Sequence, residues 1–404
     1  MGKPIAISLS PNTQTDDILL ALRMLVSPGQ LLEGENIRNL TQWFQTFFGV
    51  SHAFTFANGR AALTCVLQGM GVGEHDEVIV QSFTCVAVPN AVLALGAKPV
   101  YVDITSNYTM DPHDVARKIT KKTKVIIVQH TFGIASDMKQ ILRLAKEHRI
   151  RIVEDCAHTI GGTYDNKLLG TFGHAAIFSF GRDKAFSSVS GGVAITNDAY
   201  IAQQISWMST NMKHHKRIWV MRELLHPIFF AIILPLYDFF SIGKLLLVLL
   251  QKLCVLSLPV SQDEKKGVYK KNSIRKMPNA LATLALHQLQ KLSYYNTKRA
   301  KITLRYHKVF GGEVPLAGPL LRYPILIRQR DKALQELRKR HIYLGTWYNN
   351  GIDPKGTDLQ AIGYTPFAYP LTTHVQNNIL NLPLYIGLRE EEVDSIIQEV
   401  KAYV

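Results

Sequence analysis

Cysteine is scarce and scattered. The 404-residue sequence holds four, Cys65, Cys85, Cys156 and Cys254, with no CxxC spacing, which argues against a disulfide framework or a zinc site and for a reducing cytoplasm. Acidic residues are also short, with 31 Asp and Glu against 46 Lys and Arg and a formal net charge of +15. Such an imbalance attracts nucleic acid, anionic membranes or phosphorylated substrates. The chain has no zinc finger and no aromatic-interleaved RNA-binding signature, so nucleic acid is not an expected partner. Internal repeats and low-complexity tracts are missing. The N-terminal MGKPIAISLSPNTQTDD lacks a continuous apolar stretch and does not read as a signal peptide. A cytoplasmic location is expected.

What is present suits a large globular protein. Apolar residues make up 47% of the chain, enough for a sizeable core, and the length allows two domains. From about residue 50 to 200, short β-rich runs alternate with helical patterns. AFTFA (53–57), EVIVQ (77–81), PVYVDI (99–104), KVIIVQ (124–129), IRIVED (150–155), AAIFSF (175–180) and GGVAIT (191–196) are the runs. Strands separated by helices of ten to fifteen residues imply βαβ crossovers and a mainly parallel, seven-stranded sheet covered on both faces. Ligands of such sheets gather at the carboxyl ends of the strands.

Three pieces at those ends carry chemistry. In VEDCAH (153–158), Asp155 and His158 follow an apolar strand directly. A carboxylate there can hold a pyridinium nitrogen protonated, or it can merely cap the next turn. In FSFGRDKAFSSVSGG (178–192), Lys184 lies in a loop of small residues between two strand-like runs. Most lysines are solvated surface groups, but one desolvated in such a setting becomes a usable amine nucleophile. In FANGRAAL (56–63), a strand–turn–helix, the N–H groups of Gly59, Arg60 and Ala61 open a helix and form an anion site, with Arg60 adding charge. NG is also simply a turn signal.

Taken together, NGRAALTCVLQGM, QHTFGIASDMKQILRLAKEHRIRIVEDCAHTIGG and GTFGHAAIFSFGRDKAFSSVSGGVAITND resemble, in order and interval, the DegT-type sugar-nucleotide aminotransferases. MPNALATLALHQLQKL and ILNLPLYIGLREEEVDSII extend the resemblance toward the C-terminus. It implies a fold-type I α/β architecture with a smaller C-terminal α+β domain, and pyridoxal 5'-phosphate (PLP) as cofactor. Lys184 would be the Schiff-base lysine, Asp155 the partner of the ring nitrogen, and His158 the neighbour of the ring's phenolic oxygen. Ser179, Gly59 and Arg60 fall where the family binds the cofactor phosphate. The resemblance further implies a homodimer, an amino donor (glutamate as a rule) and a keto sugar, nucleotide-linked or lipid-linked, in polysaccharide or glycoconjugate synthesis. No metal is implied. Cys85 stands where the family stacks an aromatic ring on the cofactor, with Phe83 a substitute only in a different register. Ile274 and Lys276 replace the Asn and Arg of the contact between subunits. These departures leave room for a rival reading, a catalytically altered scaffold or regulatory protein on the same fold. The related dehydratases carry His in place of the lysine, and Lys184 argues against them.

The expected organisation is a PLP-binding domain over 1–215, an apolar insert with basic flanks over 216–268, and a linking helix with a small domain over 269–404. Residues 224–258 are rich in Leu, Ile and Phe but broken by Pro227, Pro235, Asp238, Gly243 and Lys244. The unbroken pieces fall short of the roughly 20 residues a spanning helix needs. Lys213, Lys216, Arg217 and Arg222 precede the segment, and Lys265, Lys266, Lys270 and Lys271 follow it. Two readings stand: buried helices of a core or dimer interface, or a segment lying in the face of an anionic membrane. NALATLALHQLQKLSYYNTKRAK (279–301) reads as one long helix.

Overall fold

The computed structural model describes residues 4–10, 12–269, 274–311 and 318–404. Lys270 and Lys271 of the basic flank lie outside the described residues. Seven strands form one sheet: β1 (His52–Phe56), β2 (Glu77–Gln81), β3 (Lys98–Val102), β4 (Thr123–Gln129), β5 (Arg151–Asp155), β6 (Ala175–Ser179) and β7 (Gly192–Thr196). Their order is β1-β7-β6-β5-β4-β2-β3. Only β7 runs against its neighbours, β1 and β6. The expected seven-stranded, mainly parallel sheet is therefore present.

Helices cover both faces, which is why strand residues such as Val78, Ile79 and Val80 are all buried without alternation. α1 (Thr15–Leu25), α2 (Glu35–Phe48) and α3 (Gly59–Gly69) contribute apolar residues to the layers that cover it, α2 and α3 directly on the strands. Leu40, Phe44 and Phe48 of α2 pack on Phe178 and Phe180, while Ala61, Ala62, Cys65 and Val66 of α3 fill the core beneath β2 and β6.

The register fixes what shares an edge. Ser179, Gly192 and Phe56 are successive partners across β6, β7 and β1. Gln129, Asp155 and Ile177 are partners across β4, β5 and β6. The carboxyl ends of the parallel strands, the start of β7 and the start of α3 thus lie along one rim.

After β7 the chain builds α4 (Arg217–Ile233) and α5 (Ile242–Lys252), which enclose a small cluster of Phe230, Ile233, Leu250 and Leu256. No helix among the described residues is long and apolar enough to cross a membrane. The stretch 279–301 is not one helix: α6 (Asn279–Gln290) and α7 (Leu292–Phe310) meet at Lys291, whose ψ of 0° interrupts the helical path. Beyond them, β8 (Arg322–Leu326) pairs with β10 (Ile379–Pro383), and α8 (Glu390–Lys401) packs Val393 and Ile396 against the core they share with Tyr306 and Tyr323. Between β8 and β10, β9 (Ile342–Tyr343) pairs with Ile5–Ala6, and Ile352–Asp353 pairs with Thr84–Cys85. That last pairing ties the C-terminal part to the rim of the large sheet.

Candidate active site

The rim holds an anion cradle. The Asn58 side chain caps α3 by accepting from the Ala61 N–H at 2.9 Å, which leaves the N–H groups of Gly59 and Arg60 with no intrahelical acceptor. A Cβ placed on Gly59 would stand 2.9 Å from Ser179 Cβ and 3.1 Å from its Oγ. A Cβ on Gly192 would stand 2.7 Å from Gly59 Cα. Only glycine at both positions lets the hydroxyl of Ser179 approach the helix start this closely. The Arg60 side chain turns elsewhere, into an ion pair with the buried Glu264, which the helix start at Ser261 holds by a capping box. The positive charge of the cradle is therefore backbone N–H and helix dipole, with the Arg60 guanidinium already engaged.

Next along the rim stands Asp155. It is buried, and among the described residues its carboxylate accepts one hydrogen bond, from the Ala157 N–H at 2.9 Å. Burial raises its pKa above the ordinary carboxylate value, opposed by that N–H and by the charges of Lys184 and His130. Glu154, one residue earlier, faces the opposite side and is fully engaged by the N–H groups of Gly170, Phe172 and Gly173 and by His130. One carboxylate of the pair is thus structural, and the other has unmet hydrogen-bonding capacity.

Lys184 follows β6 in a partly exposed loop, and its carbonyl is fixed by the Asn12 side chain at 2.7 Å. Its ammonium has no carboxylate within ion-pair distance among the described residues; instead Nζ lies 4.9 Å from the centroid of the Trp347 ring. The same charge is felt by Asp155, His158 and Cys85, so the structure brings the sequence's candidates together.

His158 is buried, with both ring nitrogens in use. Nδ1 accepts from the Phe132 N–H at 3.1 Å, so Nε2 carries the proton and donates to Tyr348 Oη at 3.0 Å. Burial, then Lys184 and Arg322, push its pKa well below that of a free imidazole. The ring is neutral at pH 7. Its outward reach is through the Tyr348 hydroxyl.

Several site residues come from the C-terminal part and escaped sequence reasoning: Arg322 on β8, Trp347 and Tyr348 after β9, and Asp353. Trp347 stacks on His158 at 5.2 Å between centroids, and the Arg322 guanidinium lies 3.4 Å from the centroid of the same indole. One signal was available, an arginine inside the otherwise apolar run LLRYPILI (320–327). WYNN (347–350) offered none. No aromatic ring stands at position 85. Phe83 is buried and meets Tyr348 edge-on, at 84°, and Ile274 is packed in the core of the large sheet.

The donor set fits PLP. The α3 cradle with Ser179 suits a phosphate, a buried carboxylate with spare acceptor capacity suits a protonated ring nitrogen, and an amine without a salt bridge suits a carbonyl carbon.

Comparison with known proteins agrees with that chemistry. The sequence model described as the DegT/DnrJ/EryC1/StrS aminotransferase family matches residues 12–223 and 249–401. The chain is 36% identical to the GDP-perosamine synthase of Escherichia coli O157:H7 over 45% of its own length and 51% of that protein's. It therefore spans about half of that relative. It is 26% identical to the spore coat polysaccharide biosynthesis protein SpsC of Bacillus subtilis over 93% of this chain and 91% of that one. Its fold is that of Helicobacter pylori PseC, an aminotransferase involved in the biosynthesis of pseudoaminic acid, with a TM-score of 0.74 at 22% identity and 98% of each chain covered.

Proposed function

This chain belongs to the DegT/DnrJ/EryC1/StrS aminotransferase family, and on that premise we propose that it is a PLP-dependent aminotransferase converting a nucleotide-linked keto sugar to an amino sugar in glycan biosynthesis. The observation that carries this reading is the pairing of a buried, under-bonded Asp155 with a Lys184 amine that has no carboxylate partner among the described residues. A scaffold with a vestigial site would gain nothing from keeping either group in that state, since a buried carboxylate with few partners is costly.

When bound, PLP supplies an electron sink that acidifies the Cα–H of an amino donor. The residues then divide the work. N–H groups of Gly59 and Arg60, with Ser179 Oγ, hold the phosphate. Asp155 keeps the ring nitrogen protonated through a charge-assisted hydrogen bond. Lys184 Nζ would hold the cofactor and would serve as the base that takes the proton from Cα of the donor. His158, neutral and locked by Phe132, holds the Tyr348 hydroxyl. Glutamate as donor, a homodimer as the working form and a cytoplasmic location complete the reading, on family membership alone.

Borohydride treatment of the purified holoprotein followed by peptide mapping tests it. The pyridoxyl label is expected on the peptide bearing Lys184, and Lys184→Ala should lose activity by roughly a thousandfold while keeping its circular dichroism. A label on any other lysine ends the proposal.

A second reading concerns location, because an observation favours it. Phe240, Leu245 and Leu253 are 84%, 68% and 64% exposed, with Leu249 and Val248 beside them. We propose that this face of α5 rests on an anionic bilayer, with the exposed Lys252 among its basic residues.

A further inference from the structure

Arg322 is 1% exposed and spends one of its nitrogens on Asp183, at 3.2 Å from Nη2. Nε and Nη1 have no hydrogen-bond partner among the described residues. Gly345 makes room for the group, since a Cβ there would stand 2.7 Å from Nη1. A second buried guanidinium, Arg299, is bonded among the described residues only to neutral oxygens, Asn296 Oδ1 and the Ala185 carbonyl. Both arginines and Asp183 line one cavity of about 10 Å3, together with Asn12. That is room for one water, or for one carboxylate oxygen. Asp353 also lies near enough to act on Arg322 electrostatically, but its own hydrogen bonds go to Asn350. The cavity therefore has two cations, one carboxylate and free N–H groups, with both guanidinium groups almost wholly buried, where a cation short of partners is unfavourable.

We infer that Arg322, supported by Arg299, is a built seat for a carboxylate, and that the group it takes is a carboxylate of the amino donor. The inference rests on the transaminase reading and adds the determinant of donor recognition to it. Arg322 and Lys184 share the Trp347 indole, at 3.4 and 4.9 Å from its centroid. The shared indole puts both groups in one neighbourhood, which is the ground for seating the donor's carboxylate at the guanidinium while its nitrogen meets the lysine. The two hydrogens of Nη2 lie on different edges of the guanidinium and Asp183 takes one, so one planar pair of donors, Nη2 with either Nε or Nη1, is left, and that fork selects a carboxylate over a spherical anion. The other source of negative charge is a free ion such as chloride.

Two measurements on the holoprotein separate the possibilities. In steady state, Arg322→Met should raise the KM for glutamate about ten- to a hundredfold, the range for losing charge-assisted hydrogen bonds, while the KM for the keto sugar stays within about twofold of wild type. In thermal melts at constant ionic strength, acetate should raise the Tm of wild type and not that of Arg322→Met, and chloride should raise neither. Equal losses for glutamate and keto sugar, an acetate shift that survives in the variant, or a chloride shift as large as acetate's would overturn the inference. Should Arg322→Met not fold, Arg322→Lys keeps the charge without the fork. It should still raise the glutamate KM severalfold, and an unchanged value overturns the proposal. If wild type shows no transamination at all, the functional reading fails, whereas an Arg322-dependent acetate shift would still establish the seat.

Discussion

At the scale of single residues, the decisive contrast is between two adjacent carboxylates. Glu154 and Asp155 leave the same strand on opposite sides. Glu154 is saturated by three backbone N–H groups and His130, and they hold its pKa below the ordinary carboxylate value despite burial. Asp155 has one backbone N–H and a raised pKa. Asp155→Asn should therefore leave the fold intact and still bind PLP, but lose activity by roughly a hundredfold or more, because an amide cannot keep the ring nitrogen charged. Steady-state rates alongside the cofactor's absorption spectrum check this, and near-normal turnover would reduce Asp155 to a turn-capping residue. Asp155 and Lys184 were legible because a polar residue at the end of an apolar strand has few places to go except the rim of the sheet. Trp347 and Tyr348 were not, because they reach the rim through the pairing of Ile352–Asp353 with Thr84–Cys85, a contact over more than 260 residues that no local pattern encodes. The double occupancy of the His158 nitrogens was hidden for the same reason.

Among the elements, strands were read to within a residue or two, since fully buried parallel strands are continuous apolar runs. The break between α6 and α7 left no comparable mark: QKLS (290–293) contains neither Gly nor Pro, and the irregularity is a tertiary accommodation at Lys291, whose ammonium bonds Asp16 and Asp17 of α1. The insert was the ambiguous element. α4 and α5 bury one side against each other and α1, and leave Phe240, Leu245, Leu249 and Leu253 in solvent. The family match resumes at residue 249 after stopping at 223, so most of this segment lies outside the shared sequence. Wild type is expected to float with anionic vesicles in a density gradient, less so in high salt. Leu245→Ser with Leu249→Ser should stay at the bottom while retaining wild-type melting. Failure of wild type to float, paired with a change in oligomeric state in the double variant, would assign the face to a second copy of the chain instead.

For the molecule as a whole, buried histidines set the acid side of stability. His158 and His226 are buried neutral, with pKa values pushed well below 6.5, in each case first by burial. In the unfolded chain they take up protons near 6.5, which the native state does not. Stability is thus complete above about pH 7.5 and falls as pH drops through 6.5. The two together should cost about 1.5 kcal/mol between pH 7.5 and 6.0. Asp353 works the other way, with a pKa raised to about 6 by burial, so the native state takes up its proton as pH falls through that value and returns roughly 0.4 kcal/mol of the loss by pH 6.0. Urea unfolding at pH 7.5, 6.5 and 6.0 should show the decline, and a flat profile would contradict the buried, neutral assignment.

The tie between the insert and the C-terminal part carries a consequence of its own. Asp238, at the turn between α4 and α5, accepts from Lys244, from His341 and from the Tyr343 hydroxyl. Tyr343 ends β9, and four residues later the same strand of chain lays Trp347 over Lys184. One short lever therefore has the apolar face at one end and the Lys184 amine at the other. If occupancy at either end shifts it, linkage makes the effect mutual: whatever factor a surface contributes to substrate affinity, substrate returns to the affinity for that surface. Under that condition a bilayer would act as an effector of the amine's surroundings, and a turning-over enzyme would grip its support differently from an idle one.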